Sequence, residues 1–306
     1  MRTATLRFMF VLLTLTGISC LRAESRLVSR TPKLLKVAPA RKVPYKAVTD
    51  KTGKKTKLML HIFEPVNRNK KEKLPVIVFF FGGGWVGGSA GQFYAQCDYL
   101  AARNMVAISA DYRTARKHGT TPFDCVEDGK SAVRYIRIHA KELGIDPNRV
   151  IAGGGSAGGH VAACTGVIKG FEAKGENLKI SSVPNAMVLM NPVIDTTKKG
   201  YGATNVKGRE TEISPCHHVR AGIVPTIIFH GTADTTVPFE NVKRFTKLMK
   251  EKGNICELHP FRDRKHGFFN SKRFRRNLDG KDFKAIMQLT VEFLKKQGLI
   301  DKKTPK

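Results

Sequence analysis

Acid is the scarce ingredient of this sequence. Its 306 residues hold 25 Asp and Glu against 54 Lys and Arg, a formal charge of +29. Such a field favours anionic partners, such as an acidic polymer or an anionic surface, and says nothing about fold. No motif of an RNA- or DNA-binding module accompanies the charge, so no specific nucleic-acid partner is expected. Cysteine is also thin. There are six, at 20, 97, 125, 164, 216 and 256, with no CxxC pair, which argues against a zinc site. His217 and His218 are adjacent and cannot share one helix face as metal ligands do, so no metal and no cofactor is expected. Internal repeats are missing too. No apolar run reaches the roughly 20 residues that a membrane-spanning helix needs.

The first residues carry a different pattern. Arg2 and Arg7 precede an apolar run, Phe8 to Ile18, too short to span a bilayer. Small and polar residues follow, up to Ala23. This order of charge, apolar run and small residue predicts a secretory signal peptide over 1–23 and an exported protein, periplasmic or extracellular. Lipid attachment through Cys20 is the lesser alternative, because Gly17 stands where a bacterial lipobox usually has Leu. Cleavage after Ala23 removes Arg2, Arg7 and Arg22 and no acid, which takes the charge from +29 to +26. It also leaves five cysteines, so at least one thiol has no partner within the chain. Cys97 and Cys164 read as core residues, and Cys125 as a candidate for pairing with another loop cysteine.

Residues 24–41 are basic and proline-punctuated, and read as a poorly ordered arm. Residues 42–298 then alternate between strand and helix patterns, and 299–306 read as a basic tail. The strands expected are 43–48, 58–63, 74–81, 105–112, 149–154, 186–193, 225–231 and 256–261. "LPVIVFFF" and "MVAISADY" are continuously apolar, as strands buried on both faces are. Helices are expected around 93–102, from Pro122 onward, and over 157–169, 241–252 and 283–297. The alternation predicts an α/β fold, a mostly parallel central sheet with helices on both faces.

One stretch, "GGGSAGG" at 153–159, sets five glycines around a serine. It lies between an apolar strand and an apolar helix, so it is no linker. No Lys follows it, which excludes a P-loop, and several strands precede it, which argues against a dinucleotide fingerprint. The remaining reading is G-x-S-x-G over Gly154 to Gly158, a nucleophile elbow that presents Ser156 on a sharp strand-to-helix turn. A serine hydroxyl needs a base, and the base needs an orienting acid. His266 and Asp234 stand 32 residues apart, each just beyond an expected strand, in the order Ser, acid, His. Asp195 and Asp263 are the competing acids and are less well placed. "FFFGGGWVGG" follows an earlier strand. Its amides at Gly83 and Gly84, with that of Ala157, are candidates for an oxyanion hole. His160 and His230 read as packed structural residues. "SKRFRR" (271–276) reads as a solvated basic loop or as a guide for an anionic substrate. Trp85 and Tyr112 are candidate pocket walls, with core packing the rival role for Tyr112.

"GGGW", "ADYR" (110–113), "GGSAGGH", "HGTAD" and "KHGF" together resemble the α/β-hydrolase fold. Within it the chain resembles the hormone-sensitive-lipase-like esterases, and especially the bacterial bifunctional carbohydrate deacetylase and feruloyl esterase type. The resemblance spans roughly residues 40–298. It implies Ser156 as nucleophile, His266 as general base and acid, Asp234 as its orienting partner, and Gly83, Gly84 and Ala157 at the oxyanion positions. It also implies a carboxylesterase acting on short acyl esters, acetyl or feruloyl, of a small molecule or polysaccharide, which the expected signal peptide would make a secreted one. Two positions depart from the pattern. Phe81 stands where the family usually has a His that braces the glycine loop, and Gly155 stands where it often has Asp or Glu. A peptidase of the prolyl-oligopeptidase type shares the later motifs, but residues 24–73 are too few for its propeller. A non-catalytic binding protein would be expected to lose a triad member, and none is lost.

Overall fold

The computed structural model describes residues 37–66, 68–69 and 71–301. The expected signal peptide, most of the basic arm and the last five residues of the tail lie outside them. Eight strands form one sheet: β1 (Arg41–Thr49), β2 (Lys55–Phe63), β3 (Leu74–Phe80), β4 (Val106–Ala110), β5 (Ile145–Gly155), β6 (Ala186–Met190), β7 (Thr226–Gly231) and β8 (Cys256–Phe261). The helices are α1 (Tyr94–Ala101), α2 (Ala115–His118), α3 (Pro122–Ile138), α4 (Ala140–Leu143), α5 (Ala157–Val167), α6 (Ala203–Val206), α7 (Phe239–Glu251) and α8 (Lys281–Lys296). This is the expected α/β architecture.

The strand order is β1-β2-β4-β3-β5-β6-β7-β8. β1 and β2 are antiparallel to their neighbours, and every later pairing is parallel. The sequence explains the difference. β3, β4, β6 and β7 are buried at every residue, as strands covered on both faces must be. β1 alternates exposed and half-buried residues, as an edge strand does, and carries Pro44 at a shift in register. Among the helices, α3 starts at Pro122 behind Thr121, whose amide donates to Asp124 Oδ2 at 2.8 Å. α7 turns Val242, Phe245 and Met249 to the core at helical spacing.

The topology decides where a site can form. From β3 the chain crosses to β4 on one side and later returns to β5 on the other. The loops after β3 and β5 therefore face each other across a topological switch point, at the carboxyl edge where α/β sheets bind ligands. The loops after β7 and β8 open at the same edge.

Several boundaries, and the place of one cysteine, differ from the sequence reading. Arg41 already belongs to β1, so the arm ends one residue sooner. Leu299 and Ile300 are buried in the core and are not tail, because they complete the apolar face that α8 begins. The strand expected over 186–193 stops at Met190, where Asn191 takes a positive φ of 33° before Pro192. Cys125 is a buried residue of α3 and not a loop cysteine, and its Sγ donates to the carbonyl of Arg113 at 3.2 Å. All five cysteines among the described residues are free and buried.

Candidate active site

Ser156 sits between the last residue of β5 and the first of α5, at φ 56° and ψ −124°. That conformation is strained for a side-chain-bearing residue, on the order of 1–3 kcal/mol. The surroundings enforce it. A Cβ on Gly158 would stand 2.1 Å from the Phe80 carbonyl oxygen, so only glycine lets α5 approach β3 this closely. The Ser156 amide donates to Met190 O at 3.0 Å, which ties the turn to β6.

The serine meets the two residues expected of it. His266 Nε2 lies 2.9 Å from Ser156 Oγ, and His266 Nδ1 lies 2.7 Å from Asp234 Oδ2. Asp234 Oδ1 accepts the amides of Thr236 and Val237, both at 2.9 Å. Burial pushes this carboxyl up, but hydrogen bonds from His230, His266 and the Val237 amide outweigh it and hold the group far below the usual carboxylate range. It is therefore an anion at any working pH. With Asp234 as acceptor, His266 keeps its proton on Nδ1 and turns a bare Nε2 to the serine. The competing acids are engaged elsewhere. Asp195 Oδ2 accepts from Arg244 at 2.6 Å, and Asp263 is exposed.

Gly83 and Gly84 line the pocket that opens at Ser156. Gly83 has φ 134°, and a Cβ there would meet Gly87 O at 2.2 Å. Ala157 supplies the first amide of α5, one of those a helix leaves without an internal acceptor. The three candidate oxyanion positions thus border the serine. Phe81 replaces the brace that a histidine would give. It stacks on Tyr112 at 4.2 Å between centroids, and its carbonyl accepts the Tyr112 hydroxyl at 2.7 Å. The loop is fastened a second time by Gln92. Its Oε1 accepts the Gly82 amide at 2.6 Å, and its Nε2 donates to Asn270 Oδ1 at 2.9 Å. Asn270 in turn donates to the Gly267 carbonyl at 2.7 Å. The glycine loop and the histidine loop are joined by one buried amide.

The pocket has a volume of about 400 Å³. Its walls include Tyr201, Phe269, Phe274 and Arg275, with Gln92 and Asn270 at its base. Trp85 and Tyr112 are not among them, which corrects their reading as pocket walls. Both are buried in the core, where a large ring gains most. Trp85 acts at one remove, with its ring 5.7 Å from that of Tyr201. His160 and His230 are fully buried: His160 Nε2 bonds to Ile213 O at 2.7 Å, and His230 Nε2 to Val237 O at 3.0 Å. Sequence reasoning missed Gln92, Asn270 and Tyr201. Gln92 lies in the short 3-10 turn Ala90–Phe93 just ahead of α1, and nothing local marks it.

Family comparisons agree with this geometry. A BD-FAE family model matches residues 60–211, and one of the dienelactone hydrolase family matches 186–298. Esterase 2 of the planctomycete Thermogutta terrifontis, solved with propionate bound, is 44% identical, with a TM-score of 0.80 over 89% of this chain and 98% of that one. The chain belongs to the α/β-hydrolase serine esterases. The same Thermogutta enzyme has been solved phosphorylated by paraoxon, at 43% identity and a TM-score of 0.79 over 91% of this esterase and 100% of that chain. Among curated proteins, carboxylesterase NlhH of Mycobacterium tuberculosis is 32% identical over 152 residues, 48% of this chain and 44% of its own. A probable isoprenylcysteine alpha-carbonyl methylesterase of Arabidopsis thaliana is 27% identical over 223 residues, 65% of this chain and 46% of its own. The esterase spans about half the length of the curated relatives it matches.

Proposed function

We propose that this esterase is a carboxylesterase that hydrolyses short acyl esters, on carbohydrate, through an acyl-Ser156 intermediate. The observation that carries the reading is the 2.9 Å contact of Ser156 Oγ with His266 Nε2, at a strained turn that opens into the pocket. Ser156 Oγ attacks the acyl carbon, and its proton passes to His266 Nε2. The carbonyl oxygen gains the charge, facing the amides of Gly83, Gly84 and Ala157. As the tetrahedral centre collapses, His266 returns the proton to the departing alcohol and leaves acyl-Ser156. Water, deprotonated by His266, then releases the acid by the same path. Asp234 orients the imidazole and stabilises its cation.

Short acyl groups are supported by the propionate- and butyrate-bound forms of the Thermogutta enzyme and by the modest pocket. The carbohydrate part rests on the BD-FAE match, and an acidic polymer as its bearer rests on the basic charge. The reading includes export, with cleavage after Ala23, so mature protein from its native host should begin at Glu24. An intact Met1 would overturn that part.

The test of the core proposal is covalent. Stoichiometric paraoxon should phosphorylate Ser156, found by peptide mass mapping, and abolish turnover of p-nitrophenyl acetate. Acetyl, propionyl and butyryl esters should be hydrolysed faster than octanoyl. A label on another residue, or an active Ser156→Ala variant, would sink the assignment.

A further inference from the structure

We propose that Arg275 reads an oxyanion, carboxylate or sulfate, on the alcohol part of the substrate, so that the preferred ester is one whose leaving alcohol is acidic. The inference deepens the carboxylesterase reading and rests on it.

The pocket's composition is the first ground. Among the described residues that line it there is no Asp or Glu, and Arg275 supplies the one permanent charge. The remainder is glycine, hydroxyl, amide and aromatic, with His266 as the working base. A cationic pocket without a counter-charge is a poor host for a cation and a favourable one for an anion.

Position is the second ground. Arg275 Nη1 donates to the His266 carbonyl at 3.3 Å, which holds the guanidinium on the histidine side of the pocket. A Cβ on Gly267 would stand 2.7 Å from the same nitrogen, so the side chain lies across the backbone that follows the histidine. The departing alcohol takes its proton from His266 Nε2 and must leave past this side. The acyl oxygen turns the other way, toward Gly83 and Gly84. A charge beside His266 is thus felt by the alcohol. Arg275 is exposed, and Phe274 beside it is 47% exposed while lining the pocket, so the pair is reachable by a substituent that extends outward.

The flanking sequence is the third ground. Residues 262–276 contain seven Lys and Arg and a single acid, Asp263. Arg262 and Arg264 face Asp263 and Asp282 at 3.6 and 2.6 Å, and the segment around the histidine still carries a net positive charge, which concentrates polyanions near it. The Arg fork can bind an oxyanion through two N–H groups, which a lysine cannot reproduce.

The experiment uses esters that differ in one group: 4-acetoxybenzoate, 4-acetoxybenzenesulfonate and the neutral 4-acetoxybenzamide. Each kcat/KM is divided by the hydroxide-catalysed rate of the same ester. The wild-type preference for an anionic ester over the amide should fall about fivefold in Arg275→Gln, the scale of a solvent-accessible charged contact. Arg275→Lys should keep part of the preference, and rising salt should erode it more steeply in wild type than in Arg275→Gln. Whichever anion loses more identifies the source. A second measurement needs no variant: 4-hydroxybenzoate should inhibit the wild type more strongly than 4-hydroxybenzamide, with the gap closing in salt. Equal preferences in wild type and Arg275→Gln, with both hydrolysing the amide ester, would overturn the proposal and leave the carboxylesterase standing. If no ester is turned over and paraoxon leaves Ser156 unlabelled, the carboxylesterase reading itself fails and this one with it.

Discussion

The ring of Phe269 fills the space that a side chain at residue 155 would need: a Cβ on Gly155 would stand 2.2 Å from Phe269 Cζ. The family's frequent acid at this position is therefore excluded by volume. Gly155→Ala should lower stability by about 1–3 kcal/mol, the usual cost of overpacking a core. Its effect should shrink in a Phe269→Leu background, because the two residues share one space. Urea unfolding of the four proteins measures the coupling, and strictly additive losses would contradict it.

Asp234 and Asp195 should separate cleanly. Asp234→Asn leaves the shape but offers His266 Nδ1 a donor where it needs an acceptor. The imidazole then presents the wrong tautomer to Ser156, and kcat should fall about 10³–10⁴-fold. Asp195→Asn weakens the contact with Arg244 and should lower the melting temperature with little change in kcat. A larger kcat loss from the Asp195 change would show that the wrong acid was named.

Gln92 tests the tie between the two loops. Gln92→Ala strands the Gly82 amide and Asn270 Oδ1, both buried, at about 1–3 kcal/mol for each group left unpaired. Activity should suffer beyond the loss of stability. The glycine amides would no longer be held at the oxyanion, and kcat should drop about tenfold or more with a smaller change in KM. Gln92→Glu should not restore it, because a carboxylate accepts from Gly82 but cannot donate to Asn270. Asn270 cannot turn to meet it without giving up Gly267. Steady-state kinetics well below the unfolding temperature decide this. An unchanged kcat would show the loop to be held without the tie.

His160 sets an acid limit. Burial takes its imidazole from the ordinary 6.5 down to about 4, against a smaller opposing effect of its bond to Ile213. The unfolded chain takes up this proton near pH 6.5, whereas the folded one resists it until about pH 4. Stability is therefore full above pH 6.5 and drains between those values, by about 3 kcal/mol in all. Urea unfolding at pH 7 and pH 4.5 should show the fall, and His160→Gln should flatten the slope whatever it does at pH 7. An equal slope in both proteins would assign the acid sensitivity to another group.

The sequence made the sheet legible because burial on two faces leaves no room for polar residues. The runs 74–80, 106–110 and 226–231 could be little else. The elbow was legible for a related reason: where an added Cβ would stand 2.1 Å from a carbonyl oxygen only glycine fits, and glycine is visible in a sequence. Asp234 and His266 followed from chain order. What stayed hidden depends on distance along the chain. Gln92 and Asn270 are 178 residues apart, and nothing local marks either as half of a bond. Trp85 and Tyr112 misled because an aromatic residue beside a catalytic loop has the same composition whether it faces ligand or core. Only the packing of Phe81 on Tyr112 distinguishes the two.

The five buried thiols have one more consequence. Burial raises the pKa of every one, and each is at most 7% exposed, so the folded protein hides its own most reactive chemistry. They are spread along the fold: Cys97 in α1, Cys125 in α3, Cys164 in α5, Cys216 before α7 and Cys256 opening β8. An alkylating reagent added to the native enzyme thus reaches these five only when a region opens. The rate at which each thiol is tagged becomes a clock on the opening of its own part of the molecule, built in without a single engineered probe.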